Sequence, residues 1–195
     1  MSAADRREQL LAATAALIAE RGYWALSMQD VADMCDLSLT GLLHHFPSKD
    51  ILLVAALDRH DQMQSHTLSE MLGVTLPPGV PPESPLVDWS HITLEAACEA
   101  LVARNANQPE LVRLYAMLEA ESLAPDHPAH VYFNDRQRRV LTLFRRLLGD
   151  GPDADINARH LLALMDGLQL QWLRDPELDI QEAWRTLFAR VAPLS

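Results

Sequence analysis

A chain of 195 residues, 49% of them apolar and 22% charged, is long enough to bury a sizeable core as one large or two small domains, and that balance excludes a wholly disordered polymer. Its formal charge of −11 counts against non-specific attachment to nucleic acid or anionic membrane, since long-range steering is then repulsive. No run approaches the ~20 apolar residues of a membrane span, and residues 1–20, charged on both sides of a short apolar stretch, do not read as a signal peptide, so the expected location is the cytoplasm.

Every periodic stretch is helical. The first helix is predicted over about residues 5–21, with Leu10, Leu11, Thr14, Leu17 and Ile18 on one face and Gly22 as its stop. Ser27 with Asp30 forms a capping box that opens a short second helix to about Cys35. Asp36 and Leu37 make a turn, and Ser38 caps a third helix ending near His45, where Phe46-Pro47 breaks the chain. Ser48 caps a long fourth helix reaching about Leu72. Residues 73–85 hold five of the twelve prolines (Pro77, Pro78, Pro81, Pro82, Pro85) and read as a connection, ordered loop and disordered tip being equally compatible with them. Five further helices follow: from Ser84-Pro85 to about Asn105, from Pro109 to Leu123, from Pro128 to Leu148, from Asp153 to about Leu173, and from a capping box of Asp179 with Glu182 to about Val191. The fold class is all-α, with about nine helices.

Cys35 and Cys98 are the only cysteines and stand in unlike contexts, so they read as packed helical residues rather than a disulfide or a zinc site. Lys49 is the only lysine; the other basic residues are arginines. His127 and His130 beside Asp126 have a spacing feasible for metal, but no cysteine or acidic cluster completes a site, and a solvated helix cap is the plainer reading. No glycine-rich phosphate loop, nucleophile elbow or credible triad is present, so no enzyme, cofactor or metal is expected.

Residues 27–46 hold the informative pattern: a capped short helix, a tight turn and a second short helix. A helix-turn-helix would present Ser38 and Thr40 to base edges in the major groove and turn Leu42 and Phe46 to its own core. On spacing alone a plain helical hairpin fits equally well. The stretch Leu37-Ser38-Leu39-Thr40-Gly41-Leu42-Leu43-His44-His45-Phe46-Pro47-Ser48-Lys49-Asp50, with Gly22-Tyr23 and Val31-Ala32 before it, resembles the signature of the tetracycline-repressor (TetR) family over about residues 5–55. Ala163-Leu164-Met165-Asp166-Gly167-Leu168 followed by Trp172 is similar to the penultimate helix of some members.

The resemblance implies a DNA-binding domain over residues 1–50 and a larger ligand-binding and dimerisation domain over 51–195. It places DNA contacts at Ser27, Met28, Gln29, Ser38, Leu39, Thr40, Leu43, His44, His45 and Lys49. Two departures stand out: the family often has glycine where Thr40 stands, and tyrosines that usually touch the DNA backbone where Leu43 and His44 stand. Thr40 offers a hydroxyl to a base edge or a methyl to thymine. Lys49 would reach a phosphate, as the positive N-terminus of the fourth helix also favours. Arg6 and Arg7 read either as an arm reaching the DNA or as a frayed terminus. If His44 and His45 face phosphates, their protonation near a pKa of ~6.5 tightens binding; His45 packed neutral against the fourth helix is the alternative. Within residues 1–50 four basic side chains (Arg6, Arg7, Arg21, Lys49) face seven acidic ones (Asp5, Glu8, Glu20, Asp30, Asp33, Asp36, Asp50), a local charge of −3. Affinity must therefore rest on short-range contacts and fall steeply with salt.

Beyond the helix-turn-helix, the resemblance implies a small-molecule effector held in a pocket, for which Trp89, Tyr115, Met117, Phe133 and Met165 are the candidate lining, with Gln169 or Glu119 as polar groups. An ordinary packed core explains each of them individually. Two apolar stripes, Ile156, Leu161, Leu164, Leu168 and Trp172 and then Ile180, Trp184, Leu187, Phe188 and Val191, suit a homodimer interface through residues 156–173 and 180–191, with a monomer core as the alternative. The expected function is a ligand-responsive regulator, a repressor that binds a palindromic double-stranded DNA operator as a dimer and is released by a small molecule. A dimeric small-molecule-binding protein with a vestigial DNA module is the runner-up, and a cofactor-free helical enzyme is a third, weaker reading.

Overall fold

The structure, a computed structural model, describes residues 2–191, and the Val191 side chain assigned above to the last apolar stripe lies outside the described residues. Among those residues the chain forms nine α-helices and no strand. Helix α1 (Ala3–Arg21) begins two residues before the expected start, because Ser2 caps it: the Ser2 hydroxyl accepts from the Asp5 N–H at 3.1 Å and the Asp5 carboxylate accepts from the Ser2 N–H at 2.9 Å. The expected core face, Leu10, Leu11, Thr14, Leu17 and Ile18, is buried, and the Thr14 hydroxyl is satisfied by the Leu10 carbonyl at 2.7 Å.

Helix α2 (Met28–Met34) opens at the Ser27–Asp30 capping box. Helix α3 (Leu39–His45) opens where the Ser38 hydroxyl accepts from the Gly41 N–H at 3.1 Å. Asp36, in the turn between them, is left-handed at φ 54°, a conformation that aspartate tolerates better than most side chains. Helix α4 (Lys49–Leu72) starts at Ser48, whose hydroxyl accepts from the Ile51 N–H.

The proline-rich segment is built of turns, and the helix expected from Ser84-Pro85 does not form there. Helix α5 (Leu94–Ala106) starts instead at Thr93, whose hydroxyl accepts from the Ala96 N–H. Residues 84–93 serve another purpose. Val87 and Trp89 are buried with Val74, the Trp89 indole N–H donates to the Pro82 carbonyl at 2.8 Å, and Asp88 closes a local turn by accepting from the Ser90 N–H. Burying those two apolar side chains outweighs the local signal for helix. Helices α6 (Pro109–Glu121), α7 (His130–Leu148), α8 (Ala154–Arg174) and α9 (Ile180–Val191) lie close to their expected places. Asp179 caps α9, accepting from the Gln181 and Glu182 N–H groups at 3.0 Å each.

The chain divides into two compact units: one takes the residues up to Met63 with Arg113–Phe133, the other Gln64–Val112 with the residues from Asn134 onward. In the first, α2 packs on α1 and α3, and Leu10, Val31, Leu42, Phe46, Leu52, Leu53 and Leu118 are wholly or almost wholly buried. In the second, α9 packs on α5 and α8 around Cys98, Val102, Phe144, Ala158, Leu161, Met165, Ile180, Trp184 and Phe188. Three residues of the apolar stripe on α9, Ile180, Trp184 and Phe188, are thus spent inside their own unit. On α8 the large apolar side chains left outward are Ile156 and Leu170.

Candidate nucleic-acid interface

The first unit sorts the residues of α3 cleanly. Leu42 and Phe46 are fully buried, while Ser38, Leu39, Thr40, Leu43 and His44 are exposed and His45 is half-buried. In α2, Ser27 and Gln29 are exposed and Met28 is partly so; Gln29 donates to Asp33 at 2.6 Å. The rings of His44 and His45 meet edge to face at 6.0 Å. All the residues expected to meet DNA on these two helices therefore keep some exposure, and the ones expected to face the core are inside it.

Lys49 is less free than its sequence context implies. Its ammonium sits 4.2 Å above the Tyr23 ring and donates to the Trp24 carbonyl at 3.5 Å. Burial holds it below the ordinary lysine range, with Asp50 opposing that shift. Tyr23 in turn donates to Asp50 at 2.5 Å, and burial, then that hydrogen bond, push its phenol above the usual tyrosine range. The start of α4 is thus pinned to the turn before α2 by a cation–π contact and a charge-assisted hydrogen bond. Trp24 itself is 68% exposed.

Arg6 and Arg7 are not a loose arm. The Arg6 guanidinium donates to the Gln9 side chain at 2.8 Å and to the Cys35 carbonyl at 3.1 Å, satisfying the C-terminal end of α2, and Arg7 lies 4.4 Å over the Phe46 ring. Nothing in the local sequence signals the contacts to Cys35 and Phe46, because those partners are about thirty or more residues away.

His127 is buried rather than solvated. Its Nδ1 accepts from the Ala129 N–H at 3.2 Å, and its ring meets those of Tyr23 and Trp24 edge to face at 5.5 and 5.8 Å. Its Nε2 faces Glu121 at 3.8 Å, too far for a hydrogen bond. His130 pairs through Nδ1 with the Ser122 carbonyl at 2.7 Å. Among the described residues no three histidine, cysteine or carboxylate side chains gather as a metal group, and no helix is long and apolar enough to cross a membrane.

Among the candidate effector residues, Tyr115 and Phe133 meet, with ring centroids 6.0 Å apart. Beside them lies a group that sequence reasoning missed. Asp61 accepts from the Tyr115 hydroxyl at 3.1 Å and from the Tyr132 hydroxyl at 2.6 Å, and the His60 ring lies 5.4 Å from that of Tyr115. Met117 points outward, half-exposed. In the second unit, Trp89 belongs to the Val74–Val87 cluster, Met165 to the cluster around Cys98, and Gln169 accepts from Asn105 at 3.2 Å while donating to the Met165 carbonyl.

Comparison with known proteins bears on this geometry. Residues 10–56 match the model of bacterial regulatory proteins of the tetR family, and residues 92–194 match that of the BetI-type transcriptional repressor C-terminal region. Over 55 residues the chain is 46% identical to the transcriptional repressor KstR of Mycobacterium tuberculosis, 28% of this chain and 25% of that protein, so it spans about a quarter of that relative's length. Over 179 residues it is 28% identical to the transcriptional regulator PksA of Bacillus subtilis, covering 88% of this chain and 80% of that one. A TetR transcription regulator from Haloarcula marismortui superposes with a TM-score of 0.76 at 18% identity over 98% of both chains, which establishes the shared fold. With the capped α2–α3 pair at one end and a BetI-type region over more than half its length, the chain belongs to the tetR family of bacterial transcriptional regulators.

Proposed function

We propose that this chain represses transcription as a homodimer that binds a near-palindromic operator and is released by a small molecule. The observation that carries the reading is the sorting of α3, with Leu42 and Phe46 wholly buried and Ser38, Leu39, Thr40, Leu43 and His44 outward, within a segment matched by the tetR-family model. Two such helices, one from each subunit, would read half-sites about one helical turn of DNA (~34 Å) apart. Lys49, held at the head of α4 by Tyr23, would meet a phosphate there, supported by the positive end of that helix.

Release needs an effector that binds the DNA-incompetent spacing of the recognition helices more tightly than the competent one; that difference in affinity alone moves the equilibrium. Tyr115, Phe133, Tyr132 and Asp61, an aromatic group around a carboxylate, support a polar effector contact within the first unit. A net charge of −11 makes approach to DNA unfavourable, so binding rests on close contacts and weakens sharply with salt.

Selection of binding sites from a random double-stranded DNA pool at low salt, for the wild type and Lys49→Ala, tests the reading. Enrichment of one inverted repeat, weakened in the variant, is expected. Absence of any enriched sequence from the wild type, with candidate corepressors supplied, would move the vestigial-module alternative to the front.

A further inference from the structure

We propose that Leu39 and Leu43 read thymine methyl groups, so that the operator half-site is specified largely by apolar contact in the major groove. The proposal rests on the operator-binding reading above. Leu39 and Leu43 are 37% and 40% exposed, whereas Leu42 between them is fully buried. Four residues apart, they lie on one side of α3. A single outward leucine needs no explanation; a pair on the helix that meets DNA in this family does.

The rest of α3 sharpens the point. Its sequence, Leu39-Thr40-Gly41-Leu42-Leu43-His44-His45, contains no Arg, Lys, Asn or Gln, the side chains that make bidentate hydrogen bonds to guanine or adenine edges. The Ser38 hydroxyl already accepts from the Gly41 N–H. That contact leaves the Ser38 O–H free to donate, so direct hydrogen-bond readout from this helix rests on Ser38, Thr40, His44 and His45. Leucine has no donor for a phosphate, and seating it against one would desolvate a charge without compensation. In the major groove of unmodified DNA the one apolar group on a base edge is the C5 methyl of thymine. Two leucines on the exposed face thus fit a half-site with thymines at the positions they cover.

The test uses the operator recovered by selection from a random pool, with each half-site thymine replaced in turn by deoxyuridine, which removes the methyl group and leaves pairing and phosphate charge unchanged. With unmodified protein, replacement at a contacted thymine is expected to weaken binding about fourfold, the value of one buried methyl-sized group, with the same dependence on salt. Leu43→Ala and Leu39→Ala, at exposed helical positions where alanine is the better helix former, are expected to weaken binding to the thymine operator and to be indifferent to the matching deoxyuridine replacement, because the two changes remove the same contact. An operator whose deoxyuridine forms all bind as well as the thymine form would overturn the proposal while leaving operator binding intact. So would alanine variants that remain as sensitive to deoxyuridine as the wild type. If no duplex is enriched at all, the operator reading fails and this proposal falls with it.

Discussion

Tyr132 makes the shorter of two phenol hydrogen bonds to the side chain of Asp61. Its hydroxyl donates to Asp61 Oδ2 at 2.6 Å while Tyr115 donates to Oδ1 at 3.1 Å. Burial, then the neighbouring Tyr115 and Asp61, push the Tyr132 phenol above the ordinary tyrosine range. A group whose pKa is raised on folding contributes stability that is complete below its unfolded value, about 10, and is lost as pH rises beyond it. The bond is accordingly intact at neutral pH. Tyr132→Phe removes one hydrogen bond to the Asp61 side chain, so a loss of about 0.5–1.5 kcal/mol is expected in urea unfolding, with an unchanged slope. A midpoint equal to wild type would show that water replaces the phenol without loss. Asp36 acts through charge. It is exposed and left-handed in the turn between α2 and α3, a conformation asparagine adopts equally well. Asp36→Asn therefore keeps the turn and removes one negative charge from a segment of local charge −3. Operator affinity should rise several-fold at low salt and the gain should shrink as salt is added, since the interaction is screened; an anisotropy titration at two ionic strengths checks both.

At the scale of elements, the sequence was legible wherever a helix is started by its own side chains. Ser27 with Asp30, Ser38 and Ser48 act within three residues of themselves, and α2, α3 and α4 begin where those residues indicate. Ser84-Pro85 carries the same kind of signal and starts nothing, because Val87 and Trp89 a few residues on are drawn into a cluster with Val74. The interface shows the same division. That Ser38 and Thr40 face outward and Leu42 and Phe46 inward followed from the helix-turn-helix pattern, whereas Leu39, Leu43 and His44 were placed outward only by the family resemblance. The Lys49–Tyr23–Asp50 linkage, the Arg6 contact to Cys35, and the Asp61–Tyr115–Tyr132 group followed from neither, since each joins residues that only the fold brings together. Helix α5 gives the element-scale prediction. Cys98 is fully buried among Val102, Phe144 and Trp184, and burial pushes its thiol up to about 12 from a reference of 9. Between those values the unfolded chain ionises and the folded one does not, so stability falls with rising pH by at most ~1.4 kcal/mol per unit. Cys98→Val should show a shallower decline than the wild type over pH 9 to 11 in parallel unfolding titrations. A thiol reagent should label neither Cys98 nor the equally buried Cys35 until denaturant is added.

At the scale of the whole molecule, the proposed operator reading depends on association, and α8 exposes apolar surface that could serve it. Its Ala158, Leu161 and Met165 face the core of their own unit, and α9 buries Ile180, Trp184 and Phe188 there as well. Ile156, Ala163 and Leu170 repeat every seven residues along the outward side of α8, and all three are exposed. Gly167 lies between the last two. A Cβ added there would meet nothing within 4 Å, and glycine inside a helix costs about 0.5–1 kcal/mol relative to alanine. For a lone chain this glycine is a loss with no return. For a dimer it has a use: with Ala163 one turn away it would let the α8 of a second subunit approach closely across a two-fold axis. Gly167→Gln separates the cases. The variant should unfold no earlier than the wild type at concentrations where both are monomeric, since the position is open and glutamine favours helix. Its dimer dissociation constant in sedimentation velocity should rise at least tenfold, and operator binding should become correspondingly steeper in protein concentration, because each half-site must then be filled by a separate chain. Association equal to wild type would place the dimer contact elsewhere, on the outward residues of α9 such as Gln181 and Arg185.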